Sequence, residues 1–228
     1  MNWTLADLAK MIDHSLLQPV LTDEEMERWL RIALDYNVAS VCIKPYYLAR
    51  CAEVLSGSDV APSTVIGFPH GGHTTATKVA EAEQALAVGA TELDMVVNIG
   101  KTLSGDWAYV EADIAGVTGA CHAGGALVKV IFENCYLNAA HKIRLCDICG
   151  KVGADFIKTS TGYGTGGATI DDLELMRKHA PSHVRVKAAG GVRTLDALLE
   201  VRAAGAVRCG ATATAAILDE AKRRLEAA

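Results

Sequence analysis

Eight short β-branched runs alternate with longer Ala-, Leu-, Glu- and Lys-rich segments, and this repeat restricts the fold more than any other feature of the chain. The runs are Met11–Ser15, Ala39–Ile43, Ser63–Gly67, Glu92–Asn98, Leu127–Phe132, Phe156–Thr159, Arg185–Ala188 and Val207–Cys209. The segments between and after them read as helices over Asp23–Asn37, Tyr46–Leu55, Thr75–Val88, Trp107–Ala123, Ala139–Val152, Ile170–Lys178, Leu195–Ala204 and Thr212–Glu226. Strands that alternate with helices form a parallel sheet, because parallel neighbours need a crossover. Gly89, Gly153 and Gly205 stand where a helix must close, and Thr22, Thr169 and Thr194 stand where one must be capped. An open doubly wound sheet has the same local pattern. Eight units with no linker between them is the number that closes, so the expected fold is α/β, one (β/α)8 TIM barrel over residues 1–228. Thr4–Lys10 adds a short N-terminal helix, either a plug in the barrel's N-terminal end or a surface cap.

A length of 228 residues suits such a barrel and buries a large core without disulfide staples. The net charge of −5 gives no electrostatic footprint for nucleic acid. Met1–Met11 lacks the basic start and apolar run of a signal peptide, and no stretch approaches the roughly 18 apolar residues of a membrane span. Seven scattered cysteines suggest a reduced, cytoplasmic protein. Cys146-Asp147-Ile148-Cys149 has metal spacing but lies mid-helix with no second pair, and it reads as two buried cysteines. His70 and His73 follow the third strand and read as loop or pocket residues, so no metal is expected.

Barrel strands are covered on both faces, so a charge inside one needs a reason. Asp94, Lys129, Lys158 and Lys187 lie in the fourth to seventh strands, each bracketed by apolar residues. Alternation puts Ile157 and Val186 outside and Lys158 and Lys187 inside, late in their strands, toward the end where barrel enzymes build their sites. One buried lysine would suggest a structural salt bridge. Three with an aspartate suggest amine chemistry. A free lysine, with a pKa near roughly 10.4, must lose its proton before attacking a carbonyl. Two unit charges about 5 Å apart at an effective dielectric of about 20 repel by roughly 3 kcal/mol, or about two pKa units. Adjacent-strand lysines therefore favour one neutral amine, and Asp94 supplies a carboxylate for proton movement.

Glycine-rich turns follow the last three strands: Gly162 to Gly167, Gly190-Gly191-Val192-Arg193 and Gly210-Ala211-Thr212. Any one of them suits an ordinary tight connection. Together, at one end of a barrel, they suit a phosphate, with Arg193 or Thr212 as added donors. Asp13, Cys42 and Lys129 are further pocket candidates.

These residues carry a family resemblance. Ile12-Asp13-His14-Ser15-Leu16-Leu17, Val65-Ile66-Gly67-Phe68-Pro69, the Asp94 and Lys129 strands, Phe156-Ile157-Lys158-Thr159-Ser160-Thr161-Gly162 and Val186-Lys187-Ala188-Ala189-Gly190-Gly191-Val192-Arg193 are similar to stretches of the bacterial 2-deoxyribose-5-phosphate aldolases. The resemblance spans nearly the whole chain, and the Lys158 and Lys187 segments are its most specific parts. It implies cleavage of 2-deoxy-D-ribose 5-phosphate to acetaldehyde and D-glyceraldehyde 3-phosphate without metal or cofactor. It also implies Lys158 as the imine lysine, Lys187 as the lysine that depresses its pKa, and Asp94 as the proton relay. Gly162, Gly190, Gly191, Arg193 and Gly210 would lie in the phosphate loops, and the assembly would be a homodimer or homotetramer. The chain departs from the family at Ser15, Gln18, Lys44 and Ala211-Thr212-Ala213. It also ends at Glu226-Ala227-Ala228 without the C-terminal tyrosine that some members use in proton transfer, which implies either lower activity or another proton route. Two rival readings remain: a related Schiff-base aldolase for another phosphorylated sugar, and a sugar-phosphate binding barrel without catalysis.

Overall fold

The computed structural model describes residues 3–227; Met1, Asn2 and Ala228, the tips of the terminal segments considered above, lie outside the described residues. The strands are β1 (Ile12–Leu16), β2 (Ser40–Ile43), β3 (Ala61–Ile66), β4 (Glu92–Val96), β5 (Leu127–Ile131), β6 (Phe156–Lys158), β7 (Arg185–Ala189) and β8 (Arg208–Ala211). Each pairs in parallel with the next, and β8 returns to β1 with Asp13 opposite Gly210, so the sheet is a closed barrel and not an open doubly wound sheet. The helices are α1 (Leu5–Ala9), α2 (Asp23–Asp35), α3 (Leu48–Leu55), α4 (Thr75–Ala87), α5 (Ile99–Leu103), α6 (Trp107–Ala123), α7 (Ala139–Val152), α8 (Ile170–His179), α9 (Leu195–Ala203) and α10 (Thr214–Glu226). None among the described residues is long and apolar enough to cross a membrane.

Local chemistry explains the element ends. Thr22 and Glu25 form a reciprocal capping box at the start of α2, and Thr169 and Thr194 accept first-turn amides of α8 and α9. Gly153 closes α7 at φ 77°. Most boundaries differ from the sequence reading by a residue or two, and three of the differences have a clear local cause. The apolar run Glu92–Asn98 leaves the ladder after Val96, and Asn98 instead caps the short helix α5 by accepting the Lys101 N–H. Tyr46–Leu55 divides into a 3-10 turn, Pro45–Tyr47, and α3. The last helix starts at Thr214 because β8 runs on to Ala211, which leaves Thr212 in the turn between them.

Period-two alternation sorts the strand residues. Leu93, Met95, Val128, Val130, Ile157 and Val186 face the helices in the apolar layer, fully buried. Their alternates fill the lumen. Toward the N-terminal end the Phe156 ring lies beneath the Arg185 guanidinium, 3.9 Å from its centroid, and near that of Arg208. Lys10, at the end of α1, donates to the carbonyls of Val38 and Asp59, which tie this helix to the loops entering β2 and β3.

His14 alternates with the lumen residues and is buried against helix α2, its ring centroid 5.4 Å from that of Trp29 and its Nδ1 2.7 Å from Thr214 Oγ1. Burial pushes its pKa down from 6.5 to about 4. Between those values the unfolded chain takes up a proton that the folded chain refuses. His14 therefore costs no stability above pH 6.5 and progressively more as pH falls toward 4, about 3 kcal/mol in full. Urea unfolding of His14→Gln at pH 7 and pH 4.5 should show a smaller loss on acidification than the parent. An equal loss would put the acid sensitivity elsewhere.

Candidate active site

The C-terminal end of the barrel opens into a cleft of about 220 Å³. Its lining includes Asp13, Cys42, Lys158, Gly162, Lys187, Gly190, Gly191, Arg193, Gly210 and Thr212. Two expected site residues, Asp94 and Lys129, are fully buried beneath this floor and do not line it. Lys129 is thus part of the foundation and not of the pocket surface.

The foundation is an ion-pair network. Asp94 Oδ2 lies 2.7 Å from both Lys158 Nζ and Lys187 Nζ, and Asp94 Oδ1 lies 3.0 Å from Lys129 Nζ. Lys187 also reaches Asp13 at 2.5 Å. Lys129 reaches Glu92 at 2.6 Å and Asp13 at 3.1 Å. Arg208 closes the network on Asp13 and on Glu92, the latter at 2.8 Å. Strand register makes this possible: Asp94 is level with Lys129 across β4 and β5, and Lys158 is level with Lys187 across β6 and β7.

Four cationic side chains thus meet three carboxylates, so the fully ionised cluster carries one positive charge too many for a dry interior. The lysines share the carboxylates unequally. Lys129 has three partners, Lys187 two and Lys158 one. Lys158 is therefore the group that loses its proton most easily. Burial lowers its pKa most, Asp94 opposes that, and the charge of Lys187 lowers it further. For Lys187 burial works in the same direction but Asp13 and Asp94 outweigh it, so its pKa is raised. Lys129 is raised well above the usual lysine value, as Asp13, Asp94 and Glu92 overcome burial. Burial disfavours the charge of Asp94 as well, yet the three lysines hold its pKa well below the carboxylate range. In the structure burial leads in neutralising Lys158, and Lys187 assists.

The strand ends that carry the lysines are fastened together. Thr159 Oγ1 donates to the Ala189 carbonyl and accepts the Ala189 N–H. Beyond them two glycine turns interlock: a Cβ on Gly167 would lie 2.3 Å from the Gly190 carbonyl oxygen, and Gly190 itself has φ +81°. Only glycine fits that contact. Helix α10 begins after Thr212-Ala213 with no side chain capping its first amides, beside the cleft.

Cys42 sits with Leu17, Val65 and Phe68 in a small apolar cluster at the mouth. Burial raises its pKa, the main cause, so the thiol form prevails at neutral pH. Tyr163, half-exposed, meets Phe68 edge-on at 5.5 Å. Ser15 and Gln18, which depart from the family pattern, line the cleft, whereas Lys44 is turned away onto the carbonyls of Gln18 and Leu21. His73 pairs with Glu81 at 3.2 Å, and His70 is exposed. Cys146 and Cys149 are buried, free thiols. Among the described residues no three His, Cys, Asp or Glu side chains converge as a metal-holding group.

The sequence reading missed Glu92 and Arg208. Both sit two residues from a strand position already singled out, Asp94 and Gly210, and the same alternation would have placed them inside.

Comparison with known proteins gives the same picture. The model of the DeoC/LacD family aldolases matches residues 7–217. A deoxyribose-phosphate aldolase of Rhodopirellula baltica is 62% identical over 219 residues, 96% of this chain and 91% of that protein. One from Bacillus cytotoxicus is 50% identical over 212 residues, 93% of this chain and 95% of its own length. The solved tetrameric deoxyribose phosphate aldolase of Aeropyrum pernix superposes with a TM-score of 0.88 at 32% identity, over 96% of this chain and 92% of that one. With the barrel closed, the lysines gathered on one aspartate and the match running almost end to end, the chain belongs to the DeoC/LacD family of aldolases.

Proposed function

We propose that this aldolase cleaves 2-deoxy-D-ribose 5-phosphate reversibly to acetaldehyde and D-glyceraldehyde 3-phosphate through a Schiff base on Lys158. The observation that carries the reading is Lys158 on the cleft floor, the lysine with fewest carboxylate partners in a cluster with one cation in excess. Its neutral amine attacks the aldehyde carbon of the open-chain sugar, and the carbinolamine loses water to give the iminium. The C3 hydroxyl then gives its proton, by way of water in the cleft, to the Asp94–Lys187 pair, and the C2–C3 bond breaks with its electrons passing into the iminium. D-glyceraldehyde 3-phosphate leaves, and an enamine remains on Lys158. Protonation of the enamine and hydrolysis release acetaldehyde and restore the amine. Asp94 is ionised between turnovers and carries a proton only in transit. With the Lys187 ammonium on the same oxygen, it forms the route by which protons pass between water and the carbinolamine.

Gly162, Gly190, Gly191, Gly210, Arg193 and Thr212, with the free amides of α10, would hold the phosphate end. The test is cleavage of 2-deoxy-D-ribose 5-phosphate followed by release of both products. Cleavage at least tenfold slower than that of another sugar phosphate would overturn the substrate. Another phosphorylated sugar is the second reading, favoured by Ser15, Gln18 and Thr212, which line both the cleft and an adjoining cavity of about 230 Å³.

Lys187 gives a sharper check. In Lys187→Leu three cations face three carboxylates, and Lys158 then retains its proton. The rate at pH 7 should fall on the order of 10- to 100-fold and recover at alkaline pH. An unchanged pH–rate profile would contradict the electrostatic account. We further propose a cytoplasmic homodimer or homotetramer acting on small aldehydes and sugar phosphates, a state that sedimentation equilibrium would measure directly.

A further inference from the structure

Glu133 is buried, with only 2% of its surface exposed, and its backbone is left-handed at φ 57° and ψ 63°. A glutamate gains nothing locally from that conformation, so the surrounding structure must hold it there. The cause is a bulge. Phe132 N–H bonds to the Lys158 carbonyl, and two residues on Asn134 N–H bonds to the Thr159 carbonyl, one residue short of the regular parallel ladder. Glu133 is the extra residue, and the bulge turns its side chain toward the segment that follows Lys158. There its carboxyl accepts both the N–H and the hydroxyl of Thr161. The same Thr161 oxygen accepts the Tyr163 N–H at 3.0 Å. Gly164 folds over the carboxyl so closely that a Cβ there would lie 2.9 Å from Glu133 Cδ. Between these contacts stands Gly162, at φ +87°, on the cleft wall.

We propose that Glu133 is a positioning residue: the bulge at the end of β5 aims its carboxyl to hold the Thr161–Tyr163 turn in the shape that receives the phosphorylated end of the substrate. This rests on the function proposed above. Glu133 lies behind the turn and acts on the substrate only through Thr161 and the backbone at Gly162. It therefore governs capture of the phosphate and not formation of the imine.

Glu133→Gly separates this from a structural role, because glycine accepts the left-handed backbone while the side chain and its carboxyl are removed. Relief of the left-handed backbone offsets part of the loss of the Thr161 bonds, so the variant should stay folded and melt only a few degrees below the parent. Its Thr161 and Tyr163 amides should exchange with deuterium at least tenfold faster, while the β6 amides do not change. KM for 2-deoxy-D-ribose 5-phosphate should rise at least tenfold, and the preference over unphosphorylated 2-deoxy-D-ribose should fall by the same factor. Trapping of acetaldehyde on Lys158 should stay within twofold. Glu133→Gln, which keeps the side chain's size, should shift KM and the preference in the same direction and serves should the glycine variant fail to fold. If the variants leave KM and the preference unchanged, the proposal is overturned and Glu133 is structural only. Calorimetric titration with inorganic phosphate tests the idea without turnover. An affinity at least tenfold weaker in the variant supports it even should the parent prove inactive on this sugar, and an equal affinity overturns it.

Discussion

Lys158→Met should abolish cleavage, with a loss on the order of 10⁴-fold or more, and leave the barrel as stable as the parent or more so. The two halves of this expectation have one cause. Lys158 is the cation in excess, so its removal leaves Lys129, Lys187 and Arg208 facing Asp13, Glu92 and Asp94 in balance. A methionine fills about the same space without bringing a charge into the interior. Cleavage assays and urea unfolding on the same preparation check both halves. Activity within tenfold of the parent would remove Lys158 from the chemistry. Full loss of activity with a collapse in stability would mean that the lysine holds the fold together, against the charge count.

Asp94→Asn should do the opposite to the fold. Asp94 accepts from three lysines, and without its charge the three cations left when Lys158 is neutral face only two carboxylates, buried beneath the cleft floor. Breaking one partner out of a buried ionic cluster costs about 3–5 kcal/mol. We expect a loss of that size in urea unfolding at pH 7, together with loss of turnover. The pKa of Lys158 should fall still lower, since Asp94 is the carboxylate that favours its charged form. The Asn variant should therefore still react with acetaldehyde at neutral pH while failing to complete the cycle. A variant as stable as the parent would show that water, and not protein, balances the lysines.

These contrasts show where the sequence was legible and where it was not. The barrel could be read because eight strand–helix units announce themselves locally, through β-branched runs, threonine caps and closing glycines such as Gly153. Lys158, Lys187 and Asp94 could be read because a charge between β-branched residues violates the local pattern. Their inequality could not. That Lys187 is shared by Asp13 and Asp94 while Lys158 has Asp94 alone depends on β1 meeting β7 across the lumen, and no sequence window contains both. Arg208 and Glu92 could be placed inside by alternation, but their pairing at 2.8 Å could not be read, because it too joins strands distant in sequence. Glu133 was invisible in another way. Its left-handed backbone follows from a one-residue slip between β5 and β6, a property of register and not of composition.

The most direct test of the account is reduction with borohydride in the presence of acetaldehyde, followed by peptide mapping. The account predicts a stable two-carbon adduct on Lys158, formed faster as pH rises through its depressed pKa and absent from Lys158→Met. An adduct on Lys187 or Lys129, or no adduct at all, would contradict it.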